Sequence, residues 1–192
     1  MKRILSIILA VVLAALCYGC GKKTPEPAVY KTYETAHMEL FDLQLRLACG
    51  YYHTPDPGAG KTVLTMMVDM TYTGKEGVAF ALGKTEEQPY IRFMIHYGDG
   101  YVFEEYKVVG RVKDEPMKGL SCMMDPGYVA TDLTYLHFEP MEAAHPIQLW
   151  MFVPEEVLEN KQDGLYLAVE VNGDIIRYDI GGEIDWEGLY MA

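Results

Sequence analysis

From Phe41 onward the apolar side chains fall at every second position: Phe41, Leu43, Leu45, Leu47 and Cys49 alternate with Asp42, Gln44 and Arg46. A period of two sends alternate side chains to opposite faces of an extended chain, so this stretch predicts a strand with one buried face. The same period returns in Leu64, Met66, Val68, Met70 and Tyr72, and again in Ile91, Phe93, Ile95 and Tyr97. No stretch of comparable length carries a helical period.

Turn residues punctuate these runs. Gly98-Asp99-Gly100 predicts a hairpin from the Tyr90 strand into one that starts at Tyr101. Asn172-Gly173 predicts a two-residue type I′ turn, because both residues tolerate the positive φ angles it demands. That turn sets Val171 opposite Asp174, Val169 opposite Ile176, Leu167 opposite Tyr178 and Leu165 opposite Ile180, and the three pairs beyond Asp174 are apolar. Runs that begin near 40, 63, 78, 90, 101, 128, 146, 165 and 174 give about nine strands, the number and spacing of a Greek-key β-sandwich. Pro154 to Asn160, with Glu155 and Glu156 behind the proline, predicts one short helical turn. The tail Glu183-Ile184-Asp185-Trp186-Glu187 reads as a last edge strand with an acidic outer row, a solvated edge rather than a calcium site.

The amino terminus departs from this pattern. Lys2 and Arg3 precede an apolar run from Ile4 to Leu16 that is interrupted only by Ser6, and small and polar residues follow up to Cys20. This is the three-part layout of an export signal, and the run is too short for the roughly 20 residues of a membrane-spanning helix. Gly19-Cys20 resembles the end of the lipobox of bacterial lipoproteins, in which the cysteine receives diacylglycerol and becomes the new amino terminus. Residues 1–19 are therefore expected to be a signal peptide, with Cys20 the lipidated residue that anchors the chain on the extracytoplasmic side of a bacterial membrane. Residues 20–36, with Lys22, Lys23, Pro25 and Pro27, read as a tether. Residues 37–192 form the single domain.

The charge of −12 becomes more negative once Lys2 and Arg3 are removed, which repels phosphate backbones and excludes nucleic acid as a partner. With Cys20 lipidated, Cys49 and Cys122 remain. They either close a disulfide across a long loop, stabilising the fold by up to about 4 kcal/mol, or Cys49 is simply a small core side chain.

Catalytic signatures are weak. Gly58-Ala59-Gly60-Lys61-Thr62 ends like a phosphate-binding loop, but Pro55 stands where the first glycine belongs and a strand follows. Ser121, the one serine beyond the signal, lies in a sequence that lacks the last glycine of a nucleophile elbow. No catalytic residue, metal or cofactor is assigned. Histidines at 37, 53, 96, 137 and 145, with 12 methionines, raise copper handling as an alternative, but Met66, Met70 and Met151 fall on core faces. Aromatic residues are the better candidates. Ile147, Leu149, Met151 and Val153 share one face of a strand whose other face carries Trp150 and Phe152, so that face is either covered or an exposed patch. Tyr51, Tyr52, Tyr97 and Tyr101 lie at or near loops and extend such a surface, fit for a carbohydrate or an envelope protein.

The lipobox, the tether, the first strand Leu40 to Cys49 and a late strand that ends Phe152-Val153-Pro154 before the Leu165 hairpin together resemble the immunoglobulin-like lipoproteins of mostly Gram-positive bacteria, which are similar in fold to secreted actinobacterial immunoprotective antigens. Thr73-Gly74-Lys75 stands where that family usually has an asparagine turn. The resemblance implies an immunoglobulin-like sandwich without an established activity and supplies no catalytic residue. The expectation is a non-enzymatic binding or accessory module, with a small cell-surface hydrolase as the rival.

Overall fold

The computed structural model describes residues 26–49, 56–98, 100–111, 128–130, 134–140, 145–159 and 164–182. Thirteen strands and one helical turn lie among them: β1 (Ala28–Tyr30), β2 (Thr35–His37), β3 (Phe41–Cys49), β4 (Lys61–Tyr72), β5 (Val78–Leu82), β6 (Tyr90–Tyr97), β7 (Tyr101–Phe103), β8 (Tyr106–Arg111), β9 (Tyr128–Ala130), β10 (Tyr135–Phe138), β11 (His145–Pro154), α1 (Glu156–Glu159), β12 (Leu165–Val171) and β13 (Asp174–Asp179). All nine expected runs are strands, and β1, β2, β8 and β10 are additional.

The strands form two sheets packed as a sandwich. The first has the order β1-β13-β12-β6-β5-β10, with β7 also on β6; the second has the order β2-β3-β4-β11-β8-β9. Most pairs are antiparallel, while β1 with β13 and β5 with β6 are parallel. The inner rows follow the alternation of the sequence. Leu64, Met66, Val68 and Met70 of β4 and Ile147, Leu149, Met151 and Val153 of β11 face Ile91, Phe93 and Ile95 of β6 and Leu165, Leu167 and Val169 of β12 in one core. Four rings, Phe41, Tyr72, Phe80 and Phe138, close part of this core, with Phe41 4.9 to 5.4 Å from each of the others.

The hairpin at Asn172-Gly173 has the expected register, with φ of 51° and 98° at the two turn residues. Ile180 extends it by donating its backbone N–H to Leu165 at 2.9 Å. The turn after β6 sets Tyr97 opposite Tyr101.

Two expectations are corrected. The tether does not run to residue 36, because Ala28–Tyr30 adds to the edge of the first sheet and Thr35–His37 to the edge of the second. Tyr30 stacks at 5.8 Å on Tyr178, and Ala36 is fully buried, so short apolar anchors in a polar segment are enough to hold both strands. Strand β3 also does not keep one phase throughout. Leu45 pairs with Val68 but Leu47 pairs with Met67, so Arg46 is the extra residue of a β-bulge. Arg46 forms an ion pair with buried Asp69 of β4. Beyond the bulge, the position of Cys49 stands opposite Thr65, in step with the outer row of β4.

A buried phenol of the first sheet ties it to the second. Tyr178 of β13 is fully buried and donates its hydroxyl to the Leu43 carbonyl of β3 at 2.6 Å. Burial pushes this phenol well above its ordinary pKa, so it remains a donor across the working range. Tyr178→Phe should lower the unfolding free energy by about 1 kcal/mol, the net worth of a buried hydrogen bond, with an unchanged urea m-value. An unaltered urea midpoint would show that the hydroxyl does not hold the sheets together.

Candidate functional site

In β12 one carboxylate, Glu170, sits in an otherwise apolar stretch, and it is only 3 % exposed. A buried carboxylate demands partners. The β6–β12 register supplies them on the outer face of the first sheet, where Arg92 stands directly opposite Glu170. Tyr90 donates to Oε1 at 2.7 Å, and Arg92 donates from Nε to Oε2 at 2.9 Å with a second bond from Nη2. Burial alone would raise the Glu170 pKa, but the hydrogen bonds from Tyr90 and Arg92 and the Arg92 charge outweigh it and hold the carboxyl below its ordinary value. Arg92 turns its remaining Nη1 to Glu104 at 3.0 Å.

Strand β6 is paired by β12 along one edge from Ile91 to Tyr97. Among the described residues, its other edge is paired by β5 at Tyr90 and Ile91 and by β7 from Ile95 to Tyr97. Arg92, Phe93 and Met94 therefore lie at a split in the sheet. Tyr106 fills its floor. Its ring meets Phe93 edge-on at 5.5 Å, and its phenol oxygen takes a hydrogen bond from the Phe93 backbone. Burial pushes the Tyr106 phenol up to about 12, so its proton stays in place and can be donated.

The two residues after β7 carry the chain from the first sheet to the second, and each is clamped. Glu104 is held by Arg92, whereas Glu105 pairs with Lys61 and accepts the Phe152 N–H at 2.9 Å. On the opposite wall the chain turns out of β5 at Gly83. Its φ of 116° favours glycine, and its N–H is bonded to the Ile91 carbonyl at 2.9 Å. This places Lys84 at the mouth. The resulting cleft holds about 490 Å³ and is lined by Leu82 to Lys84 and Thr134 on one side, Glu104 and Tyr106 to Val108 on the other, and Arg92 behind. Arg92 is answered by two carboxylates, and Lys84 and Lys107 are the lysines among the described lining residues.

The residues singled out from sequence are scattered. Tyr97 and Tyr101 come together at the β6–β7 turn, with ring centroids 6.4 Å apart and Tyr101 68 % exposed. Phe152 and Trp150 lie on the outer face of the other sheet. Phe152 is buried at 7 % exposure, and Trp150 is half-buried with an Nε1 that finds no acceptor among the described residues. Trp150 stands opposite Lys107, which lines the cleft. Cys20, Tyr51, Tyr52, Ser121, Cys122 and the tail at 183–187 lie outside the described residues. His37 and His137 are each paired with a carboxylate at 2.7 Å, to Asp42 and Glu139, and no group of three metal-ligating side chains forms among the described residues. No helix among them is long and apolar enough to cross a membrane.

Sequence reasoning missed the cleft. The available signal was a charge on an outer row flanked by large apolar residues, Glu170 between Val169 and Val171 and Arg92 between Ile91 and Phe93. Their pairing depends on two strands nearly 80 residues apart meeting in one register.

Glu170→Gln leaves Arg92 half-buried with only Glu104 to answer it, and should cost about 2 kcal/mol of stability in a urea titration; a loss within the error of that titration would mean the network carries no weight. Stability should also fall on acidification. His96, on the same face, is held below its ordinary pKa by burial first and then by Arg177 and Arg92. The unfolded chain therefore takes up a proton below about pH 6.5 that the folded chain resists, and the stability present above that pH is lost as the folded value is passed. Glu170, also depressed, adds a second loss in the carboxylate range. The decline just below pH 6.5 should be shallower in His96→Gln, and parallel curves would contradict the assignment.

No protein-family model matches the chain, and no curated protein matches it. An uncharacterized β-sandwich protein from Clostridium difficile 630 is similar in structure, with a TM-score of 0.52 and 13 % identity over 83 % of this chain and 97 % of that one. At that identity the likeness concerns fold alone, and the chain is a nearly all-β sandwich of two sheets.

Proposed function

We propose that this chain is an extracytoplasmic bacterial lipoprotein of the immunoglobulin-like kind, anchored through lipid on Cys20, whose sandwich acts as a non-enzymatic binding module with the split in the first sheet as its binding site. The observation that carries the reading is the cleft itself. Its walls are held by buried or doubly clamped groups, which is how a binding site is kept pre-organised. Among the described residues they present Arg92, two lysines, a phenol and a threonine hydroxyl, and the carboxylate of Glu104 is tied to Arg92. A hydrolase needs two converging carboxylates or a nucleophile beside a base, and the described residues that line this cleft form neither.

Anchoring fits this layout. Because β1 starts at Ala28, residues 20–27 are all that separate Cys20 from the sandwich, a span of at most about 28 Å. Strand β1 forms one edge of the first sheet, and the split lies beyond β6, three strand spacings or roughly 14 Å across the sheet. A tether entering at β1 would thus join the sheet three strands from the split.

Metabolic labelling with an alkynyl fatty acid tests the anchor. The wild-type chain should be labelled and sediment with membranes, whereas Cys20→Ser should carry no label and retain its signal peptide. Equal labelling of the two, or an unlabelled wild-type chain free of membranes, would remove the lipoprotein reading.

A further inference from the structure

We infer that Asn172-Gly173 is a spontaneous modification site that the β12–β13 hairpin keeps latent: the Asn172 carboxamide cyclises onto the Gly173 nitrogen only when the hairpin opens, and the isoaspartate that results cannot re-form the turn. Neither the cleft nor the anchor enters into it.

Asparagine before glycine is the pair in which this chemistry meets least steric resistance, because no Cβ shields the attacking nitrogen. Asn172 and Gly173 are both exposed, so water and hydroxide reach them and burial gives no protection. Hydroxide removes the Gly173 amide proton, the nitrogen attacks Cγ of Asn172, an N–Cγ bond forms, and the Cγ–Nδ2 bond breaks with Nδ2 leaving as ammonia. Water then opens the succinimide at one carbonyl to give aspartate, or at the other to give isoaspartate, in which the main chain runs through Cβ and Cγ.

The folded turn withholds the first step. With φ of 51° at Asn172 and 98° at Gly173 the turn is type I′, which sets ψ of its first central residue at about +30°. Attack requires the Gly173 nitrogen to eclipse Cβ about the Cα–C bond of Asn172, on the far side of the ψ circle from that value. Rotating ψ so far separates Val171 from Asp174, which the hairpin register holds opposite each other. The side chain is clamped as well. Oδ1 of Asn172 accepts the Tyr90 N–H at 2.9 Å, while the Asn172 N–H donates to the Tyr90 carbonyl at 3.2 Å, and this reciprocal pair holds the carboxamide against the start of β6. Strand β12 is paired by β13 on one edge and by β6 on the other up to Val171, so the turn opens only by breaking the end of that pairing.

The two products differ in what they restore. Aspartate leaves the backbone unchanged, Asp-Gly suits the same turn, and its carboxylate accepts the Tyr90 N–H where Oδ1 did. Isoaspartate lengthens the main chain inside a two-residue turn and moves the carboxylate away from the position Oδ1 occupies. Hairpin register follows loop length and turn type, so this chain cannot set Val171 opposite Asp174 again. Because β13 also carries Tyr178, whose hydroxyl bonds Leu43 of the other sheet, a hairpin out of register loosens the sandwich as a whole.

The test incubates the full chain in non-ionic detergent at mildly alkaline pH, in buffer and in unfolding urea, and follows residue 172 by peptide mass spectrometry and isoaspartyl methylation. The folded chain should deamidate there at least about tenfold more slowly than the unfolded one, since local opening precedes each event. A smaller ratio overturns the inference. Chains deamidated in urea are then returned to buffer and exposed to protease. The resistant fraction should keep its aspartate and be depleted in isoaspartate at residue 172, and an undiminished isoaspartate share overturns the inference too. Asn172→Asp separates charge from backbone length. It should keep the wild-type urea midpoint, and a variant as protease-sensitive as the isoaspartate chains would assign the loss to charge and overturn the account.

Discussion

Among the described residues strand β6 has fewer neighbours on one edge than its length requires, and the organisation of the first sheet follows from this arrangement. A strand edge without a partner exposes backbone groups that must be satisfied elsewhere. Strand β5 meets β6 for two residues and then turns away at Gly83, and β7 meets it for three before the chain leaves for the second sheet. What fills the interval is a side chain. Tyr106, the first residue of β8, reaches back from the second sheet and meets Phe93 with its ring and the Phe93 backbone with its oxygen.

The crossover and the charge network are consequences of the same arrangement. Leaving one sheet for the other in two residues fixes Glu104 and Glu105 between them, and each is held on a different side, by Arg92 and by Lys61. Arg92 bridges that crossover to Glu170, so the buried carboxylate, the split strand and the chain's passage between sheets are mechanically one unit. The network stabilises little on balance, since burying its charges offsets much of their attraction. Its effect is positional: it fixes the back wall of a cleft whose side walls carry the lysines.

Local chemistry was legible in the sequence and long-range pairing was not. The Asn172-Gly173 turn was readable to the residue because both strands it joins are adjacent in the chain and their apolar rows agree with the turn type. The inner rows of β4, β6 and β11 were readable for the same reason, since a period of two survives any pairing partner. The Arg46 bulge was invisible, because inserting one residue changes register without changing the alternation on either side. Strands β1 and β2 were hidden by their polar surroundings; what recruits them is Tyr178, far along the chain, whose ring and hydroxyl bring them into the core. The cleft was hidden most deeply. Lys84, Arg92, Glu104, Tyr106 and Lys107 are unremarkable one by one, and they converge where, among the described residues, β6 is paired by β5 at one end and β7 at the other.

The aromatic residues that drew attention in the sequence are divided between the two sheets, with Tyr97 and Tyr101 at a turn of one and Trp150 and Phe152 on the outer face of the other. The cleft and the aromatic rim therefore make separable claims about where a ligand sits. Amide chemical-shift mapping of the full chain in detergent micelles, titrated in turn with citrate, phosphate and glucose at constant ionic strength, tests the choice directly. Saturable shifts at Gly83, Lys84, Phe93, Lys107 and Thr134, with Val29 and Asn172 unmoved, are the result expected of a site at the split. Shifts confined to Tyr97 and Tyr101, or none at all, would contradict it.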